Sequence, residues 1–221
     1  MVSEQGKYLI LQTTGSTGKP KVISHDWEKI NHIVDKSIQV FELCESDRIL
    51  NLYPSYTIAN WTITSLPALK VNCNICNMNW SPYRFIDTVK NYRPTFMGIV
   101  PSHIKILKMT KGWKDLSFSG CRINIGADRV IQSDIDILLE KGAEKVYHTY
   151  GMSEIPPPVA YSINSEWLEI STIDGNYYFN SENELVINGM STSDIFDIKS
   201  NKMKFLKRKT PVLSKESWKN V

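Results

Sequence analysis

Short apolar runs alternate with amphipathic segments along most of the chain, and this alternation restricts the fold more than any other feature. The apolar runs end in Gly, Pro or polar residues and have the length of buried strands. Between them, apolar residues recur at helical spacing, as at Ile30, Ile33 and Val34. Strands are predicted at 8–11, 21–24, 48–53, 71–78, 95–100, 122–125 and 145–149, and helices at 27–41, 58–69, 82–92, 101–107 and 131–139. The predicted fold class is therefore α/β, a parallel sheet flanked by helices.

The pattern changes after three consecutive prolines at 156–158. The later apolar runs are short and are separated by Asn, Gly, Ser and Asp, and they lie at 159–163, 167–173, 177–179, 184–187, 195–198 and 203–206. This predicts antiparallel β-structure, as a small sheet or partial barrel packed beside the α/β part. The predicted units are an α/β core at 1–155, a small β subdomain at 156–208 and a basic tail at 209–221.

A loop rich in glycine and hydroxyl residues follows the first predicted strand. Its residues are Thr13, Thr14, Gly15, Ser16, Thr17, Gly18, Lys19, Pro20 and Lys21. The glycines let the backbone curve around an anion, with N–H and O–H donors inside, so the loop suits a polyphosphate. It is not a Walker A motif, because Thr13 replaces the first glycine and Pro20 the metal-binding hydroxyl. A polar surface turn is the alternative.

Other candidate residues follow the predicted strands, at Tyr56, 101–102, 126–127 and 150–154. The carboxyl ends of parallel strands meet at one edge of a sheet, where ligands bind in open α/β folds. The glycine-rich loop and these residues are therefore expected to converge on a single site.

The glycine-rich loop and residues 150–154 resemble two motifs of the adenylate-forming enzymes, which occur in the same order. This superfamily contains acyl-CoA synthetases, peptide-synthetase adenylation domains and luciferases. The segment from Ser16 to Lys21 matches the phosphate loop that ends in Thr-Gly-x-Pro-Lys. The segment from Tyr150 to Glu154 matches the Tyr-Gly-x-Thr/Ser-Glu motif. The resemblance runs from about residue 8 to residue 208, and it implies that 1–155 is a nucleotide-binding core.

The resemblance implies an ATP site with Mg²⁺. Thr14, Lys21, Ser153 and Glu154 would be catalytic, with Ser153 donating to the α-phosphate and Glu154 binding the metal through a hard carboxylate oxygen. The implied nucleotide-binding residues are Thr13, Thr14, Gly15, Ser16, Thr17, Gly18, Lys19, Lys21, Gly126, Ala127, Asp128, Tyr150, Gly151, Met152, Ser153, Asp194 and Arg208.

Within this set, Tyr150 would offer a ring face to adenine and Gly126 to Asp128 would line the adenine pocket. Asp194 and Arg208 would hold the ribose. The sequence departs from the family pattern at Ser193 and Lys207, each of which stands where glycine is usual.

The acyl pocket matches the family less well. Thr57 and Asn60 replace the histidine and glycine of an aromatic-His-x-x-Gly segment, and no aspartate is present there to pair with an α-amino group. An amino-acid substrate is therefore disfavoured. By placement in the chain, Tyr56, Trp61 and His103 are the candidate pocket residues.

The resemblance implies an AMP-forming ligase that converts a small carboxylic acid and ATP to an acyl-adenylate and passes the acyl group to an amine, a thiol or a carrier protein. The alternative is a non-catalytic or partner-dependent ATP- or AMP-binding subunit. We expect a truncated form, without the family's leading segment and without the mobile C-terminal domain that supplies a bridging lysine. Lys209, Lys215 or a partner would have to replace that lysine, and the use of coenzyme A stays open. A homo-oligomer or partner subunit is expected to cover the exposed sheet.

Composition excludes several classes of protein. The polar N-terminus lacks a signal peptide and no apolar run is long enough for a membrane helix, so a cytoplasmic protein is expected. Four scattered cysteines do not form a disulfide framework, and the lone pair Cys73 and Cys76 is interpreted as structural, with a zinc site as the alternative. Residues 199–221 contain eight basic residues and one acidic residue. We interpret this tail as solvated and do not expect nucleic acid as a partner, although the basic charge leaves that alternative.

Overall fold

The computed structural model describes residues 7–13 and 21–209. Its strands are β1 Tyr8–Thr13, β2 Lys21–Asp26, β3 Arg48–Asn51, β4 Asn74–Asn77, β5 Phe96–Ile99, β6 Arg122–Ile125, β7 Lys145–Tyr150, β8 Ala160–Ile163, β9 Leu168–Glu169, β10 Tyr177–Phe179, β11 Glu184–Ile187, β12 Met190–Lys199 and β13 Lys202–Arg208. Its helices are α1 Trp27–Val40, a π-helix at Asn60–Ser65, α2 Leu66–Lys70, α3 Pro82–Tyr92, α4 Pro101–Lys108, α5 Gln132–Glu140 and a 3₁₀ turn at Ile170–Thr172. Within these ranges no helix combines the length and the apolar character needed to cross a membrane.

Strands β1 and β2 form a separate antiparallel ribbon. Thr13 at the end of β1 is paired with Lys21 at the start of β2. Leu9 and Leu11 point to one face of the ribbon, where they pack against Ile30 of α1. The ribbon is therefore attached to the rest of the molecule through its apolar face.

Strands β3 to β7 form a parallel sheet, in the order β4, β3, β5, β6, β7. The prediction was wrong for the first two strands, which belong to the antiparallel ribbon and not to this sheet. Successive side chains of a strand point to opposite faces. Phe96 packs on the side of α1 and the π-helix, whereas Met97 and Ile99 pack on the side of α3, α4 and α5. The sheet is thus covered by helices on both faces, and the carboxyl ends of its strands share one edge.

The antiparallel strands continue this sheet beyond β7. The Val159 N–H donates to the Tyr150 carbonyl at 2.8 Å, and β8 then runs back along β7 with Ala160 opposite Tyr150. The result is one sheet of eleven strands in the order β10, β11, β12, β13, β9, β8, β7, β6, β5, β3, β4. The antiparallel part has its own core, which contains Leu185 and Phe196. Antiparallel structure is confirmed, while the proposed domain boundaries stay a prediction, since the sheet is continuous across the first of them.

The helix predicted at 58–69 is two helices of different type. The π-helix ends with the Leu66 N–H bonded to the Trp61 carbonyl, five residues back. Pro67 follows and has no N–H to continue an α-helical ladder. Thr64 Oγ1 also donates to the Asn60 carbonyl at 2.9 Å, which competes with regular backbone bonding. The sequence pattern showed the apolar content of this segment but not its change of helical period.

The strand predicted at 167–173 is also shorter than expected. Thr172 Oγ1 donates to the carbonyls of Glu169 at 2.7 Å and Tyr161 at 3.2 Å. These bonds stabilise the 3₁₀ turn directly after β9. The strand ends here because the Thr172 side chain bonds to nearby backbone carbonyls.

Buried polar side chains form a row across the carboxyl ends of the parallel strands. Tyr53 Oη accepts from Asn124 Nδ2 at 2.9 Å, and Thr149 Oγ1 donates to Asn124 Oδ1 at 2.9 Å. The Tyr53 ring lies directly on Gly98, where a Cβ would be 2.1 Å from Tyr53 Cε2. Position 98 must therefore be glycine as long as the ring occupies this place.

Gly98→Ala is expected to lower the free energy of unfolding by about 1–3 kcal/mol, because the added methyl group overlaps the Tyr53 ring. Urea unfolding of the wild type and the variant measures the difference. The cost should fall markedly when Tyr53→Leu is present, since the smaller side chain leaves room. An equal cost in both backgrounds would show that another contact is responsible.

Candidate functional site

The chain leaves β7 through a tight turn with Ser153 and Glu154 at its tip. The Met152 N–H donates to the Ile155 carbonyl at 2.9 Å, and the Ile155 N–H donates to the Met152 carbonyl at 3.1 Å. This reciprocal pair closes a turn of two central residues. The turn places the Ser153 hydroxyl and the Glu154 carboxylate at the carboxyl edge of the sheet.

Gly151 begins this turn where two chain segments are in close contact. A Cβ at position 151 would lie 2.6 Å from Pro157 Cβ, so glycine is needed for the approach. Met152 packs in part against the core of the antiparallel strands. Both residues help to place the tip, Gly151 through its missing side chain and Met152 through backbone bonds and packing.

The first ribbon contacts both residues of the tip. Lys21 Nζ lies 2.8 Å from Glu154 Oε1, and His25 Nε2 lies 2.7 Å from the Ser153 carbonyl oxygen. Lys21 and His25 are four residues apart on β2 and therefore share a face. The motifs predicted Lys21 and Glu154 for one site, and the structure brings them together. His25 was not among the predicted residues, although its strand periodicity with Lys21 was a usable signal.

The Glu154 carboxylate suits a hard cation. Burial raises the pKa of this carboxyl, but hydrogen bonds from Lys21 and from its own backbone N–H outweigh burial, so the pKa lies below its ordinary value. Within the described ranges no group of three or more His, Cys, Asp or Glu side chains could hold a metal ion. Mg²⁺ commonly takes one or two carboxylates together with substrate phosphates, which a single carboxylate at an open edge fits.

A second candidate carboxylate, that of Asp194, lies on β12 in the antiparallel part. Asp194 is buried and accepts from Tyr150 Oη at 2.8 Å. Arg208 binds it through two bonds, Nε to Oδ1 at 2.6 Å and Nη2 to Oδ2 at 2.8 Å. The Tyr150 ring packs edge-on against Phe196 and is 9% exposed. Tyr150, Asp194 and Arg208 thus form one cluster, while a stacking role of Tyr150 towards adenine stays a prediction.

The turn at 126–128 follows β6 on the same edge. A Cβ at Gly126 would be 2.7 Å from the Thr149 carbonyl oxygen, so the turn lies close against the end of β7. Ala127 has a φ of 63°, a left-handed conformation that is uncommon for a residue with a Cβ. Asp128 is exposed. The predicted place of this turn beside the Tyr150 motif agrees with the topology, and its contact with adenine stays a prediction.

The three candidate pocket residues do not form one cluster. Tyr56 is 62% exposed, and Trp61 Nε1 donates to the Ser55 carbonyl at 2.9 Å. Trp61 packs on the side of α1, whereas His103 stacks on Trp80 with ring centroids 3.7 Å apart. Burial lowers the pKa of His103 to about 4, so its imidazole is neutral. Their grouping as an acid-binding pocket stays a prediction.

Two further predictions concern the loop and the basic tail. Residues 14–20, and with them Thr14, Gly15, Ser16, Thr17, Gly18 and Lys19, lie outside the described residues, as does Lys215. Thr13 is described as the strand partner of Lys21. Lys209, a candidate replacement for the bridging lysine, instead contacts Glu182 and lies 2.7 Å from Glu184 Oε2.

Comparisons with known proteins show the family of the chain. The family model described as AMP-binding enzyme matches residues 3–186. An indoleacetate–CoA ligase from Aromatoleum aromaticum is 24% identical over 166 residues, which are 72% of this chain and 32% of the ligase.

Solved structures are similar over nearly the whole chain. An acyl-CoA synthetase (AMP-forming)/AMP-acid ligase II-like protein from Dyadobacter fermentans has a TM-score of 0.69 at 20% identity, over 91% of this chain and 60% of that one. The O-succinylbenzoate coenzyme A synthetase of Bacillus subtilis, in complex with ATP and magnesium, has a TM-score of 0.72 at 14% identity, over 90% and 49%. These identities show the fold alone. The chain spans less than two thirds of the length of each of these proteins.

The buried His148 of β7 should make folding stability depend on pH. Burial lowers the pKa of His148 to about 4 from its ordinary value of 6.5. The unfolded chain therefore takes up this proton at a higher pH than the folded one, and stability present above pH 6.5 is lost as the pH falls towards 4. Between pH 6.5 and 5 the loss is about 1.5 kcal/mol. Urea unfolding of the wild type and of His148→Gln should show a flatter pH dependence in the variant. His32→Gln, at an exposed position, is the control, and equal slopes for all three proteins would contradict the expectation.

Arg208→Gln should lower the free energy of unfolding by about 1–2 kcal/mol, because Asp194 stays buried after its bidentate partner is lost. Lys207→Gln changes the neighbouring exposed residue of the same strand and is expected to cost less than about 0.5 kcal/mol. Thermal or urea unfolding compares the two variants. Similar stabilities would mean that Arg208 contributes little to holding the carboxylate.

Proposed function

The chain belongs to the AMP-binding enzyme family, the adenylate-forming superfamily that its motifs resemble, and from this premise we propose that it activates a carboxylic acid with ATP. The products are an acyl-adenylate and pyrophosphate. The acyl group is then transferred to an amine, a thiol or a carrier protein.

The observation that carries this proposal is the contact between the two motifs. Lys21, at the end of the glycine-rich loop, lies 2.8 Å from Glu154 of the Tyr-Gly-x-Ser-Glu motif, although 133 residues separate them. A polyphosphate held by the loop would therefore lie beside a hydroxyl and a carboxylate at the tip of the turn. Phosphoryl chemistry needs this combination of donors, positive charge and a metal-binding oxygen.

Each residue has a role in the proposed reaction. The acid carboxylate attacks the α-phosphorus of ATP, and pyrophosphate leaves as negative charge builds on the phosphoryl oxygens. Lys21 and the Ser153 hydroxyl stabilise that charge, together with Thr14 and the loop N–H groups. Glu154 would hold Mg²⁺, which neutralises phosphate charge when bound. Asp194 and Arg208 bind the ribose, and residues 126–128 with Tyr150 line the adenine pocket.

The nature of the acid and the acceptor belongs to the same proposal. The similarity to an indoleacetate–CoA ligase supports a small carboxylic acid as substrate and a thiol as one acceptor. No aspartate occurs in the segment 53–60, which argues against recognition of an α-amino group. The acid would approach Ser153 from the carboxyl edge of the sheet.

One observation favours a second candidate function, an ATP- or AMP-binding subunit that needs a partner for turnover. Lys209 is paired with Glu182 and Glu184, so this lysine does not lie free to bridge an acid and the α-phosphate. A partner protein could supply the bridging lysine in that case. This candidate predicts nucleotide binding without turnover, and activity only after the partner is added.

Acid-dependent exchange of labelled pyrophosphate into ATP tests the leading proposal. The wild type should catalyse exchange with at least one acid from a panel of aryl, arylacetic and short aliphatic acids. Glu154→Gln should lower the exchange rate at least about tenfold, because the carboxylate that orients Mg²⁺ is lost. Glu169→Gln removes a carboxylate paired with Lys202 outside the site and should leave the rate unchanged.

Calorimetry with ATP and Mg²⁺ separates the two candidates. Tight ATP binding without exchange for any acid would reject the ligase and leave the binding subunit. Absence of both binding and exchange would reject both functions.

A further inference from the structure

His25 and Lys21 both contact the turn that carries Ser153 and Glu154. His25 bonds to the backbone of the turn, whereas Lys21 bonds to a side chain. The imidazole is buried, and its Nε2 lies 2.7 Å from the Ser153 carbonyl oxygen, across 128 residues of sequence. A carbonyl oxygen only accepts hydrogen bonds, so Nε2 carries the proton. Burial also lowers the pKa of His25. The histidine is therefore a fixed donor to the backbone of the turn.

The Ser153 carbonyl belongs to the central peptide of the turn closed by Met152 and Ile155. The orientation of this peptide distinguishes type I from type II turns, which differ by a rotation of about 180°. Type II requires a positive φ at the second central residue, and neither Ser153 nor Glu154 is among the residues with positive φ. Type II is therefore excluded, and the Ser153 carbonyl is directed towards His25.

A single hydrogen bond to this peptide fixes two side chains. The Glu154 N–H belongs to the same peptide and points away from the carbonyl, and it donates to the Glu154 carboxylate. Rotation of the peptide would break both the His25 bond and this internal bond. The His25 bond also ties the tip of the turn to β2, from which Lys21 contacts Glu154 at 2.8 Å.

We infer that His25 is a positioning residue: its Nε2–H orients the central peptide of the 152–155 turn, so that the Ser153 hydroxyl and the Glu154 carboxylate face the Mg²⁺-bound phosphates. The inference rests on the proposed function, since that function assigns the phosphates and the metal to this tip. His25 itself touches neither. The ribbon thus supplies Lys21 to bind the ligand and His25 to hold the turn in position.

Two substitutions distinguish the hydrogen bond that His25 donates from the space that its ring fills. His25→Phe keeps a planar ring of similar size and removes the donor. His25→Gln places an amide N–H close to the position of Nε2 and should restore the bond. His32→Phe makes the same change as the first variant at an exposed histidine of α1, which bonds to Asp174 and lies outside the site.

The measurement is ATP affinity by calorimetry, with and without Mg²⁺, so that no turnover is needed. In the wild type Mg²⁺ should increase ATP affinity. In His25→Phe this increase should shrink about tenfold, which corresponds to one lost hydrogen bond of about 1.4 kcal/mol. Affinity for AMP without metal should be unchanged. His25→Gln should retain the increase to within about threefold, and His32→Phe should match the wild type.

A double-mutant cycle with Glu154→Gln distinguishes positioning from general damage to the fold. If His25 acts through the turn, His25→Phe should cause no further loss of the Mg²⁺ effect once Glu154 is Gln. Should His25→Phe fail to fold, His25→Gln alone still tests the donor role, because it must retain the Mg²⁺ effect.

The outcomes are distinguishable. A normal Mg²⁺ effect in His25→Phe, or an equal loss in His25→Phe and His25→Gln, overturns the inference alone. A wild type that binds ATP equally with and without Mg²⁺ overturns the proposed metal site and the inference with it.

Discussion

The backbone pairing of β7 on both sides is the constraint on which the rest of the structure depends. One side of β7 is parallel to β6 and the other antiparallel to β8, so a single strand joins a helix-covered sheet to an antiparallel one. Its last residue, Tyr150, packs in the core of the antiparallel part. The turn after it must therefore lie at the boundary of two cores, where chain from both parts and from the first ribbon can reach it.

Local sequence patterns predicted most of the fold. Alternating apolar runs gave the parallel strands and their flanking helices, because burial on both faces selects uniformly apolar strands. The patterns failed where a side chain bonds to the backbone. Thr64 and Pro67 favour a π-helix within a predicted α-helix, and Thr172 replaces part of a predicted strand by a 3₁₀ turn. The pairing of β8 with β7 could not be predicted from the sequence either, since local patterns do not show which strands pair.

The sequence predicted that the motif residues meet at one edge of the sheet, but it did not predict every contact that holds them there. Motif matching selected Lys21, Glu154, Asp194 and Arg208, and the structure pairs them two by two. It did not select His25, because a lone histidine on a strand carries no motif. Tyr56, Trp61 and His103 were chosen by chain position alone, and of these Trp61 packs on the side of α1 whereas His103 stacks on Trp80. Residues that act through long-range backbone contacts are therefore the ones that sequence reasoning misses.

The Lys21–Glu154 ion pair has a consequence for the energetics of ligand entry. Each of the two charges has a resting counterion, so neither is exposed unpaired at the edge of the sheet. In the proposed function a metal-bound triphosphate brings a cation for Glu154 and phosphate oxygens for Lys21, so each side chain exchanges its partner for an opposite charge of the ligand. Such an exchange keeps Lys21 and Glu154 each paired with an opposite charge throughout, so neither charge is left without a partner while the site is empty.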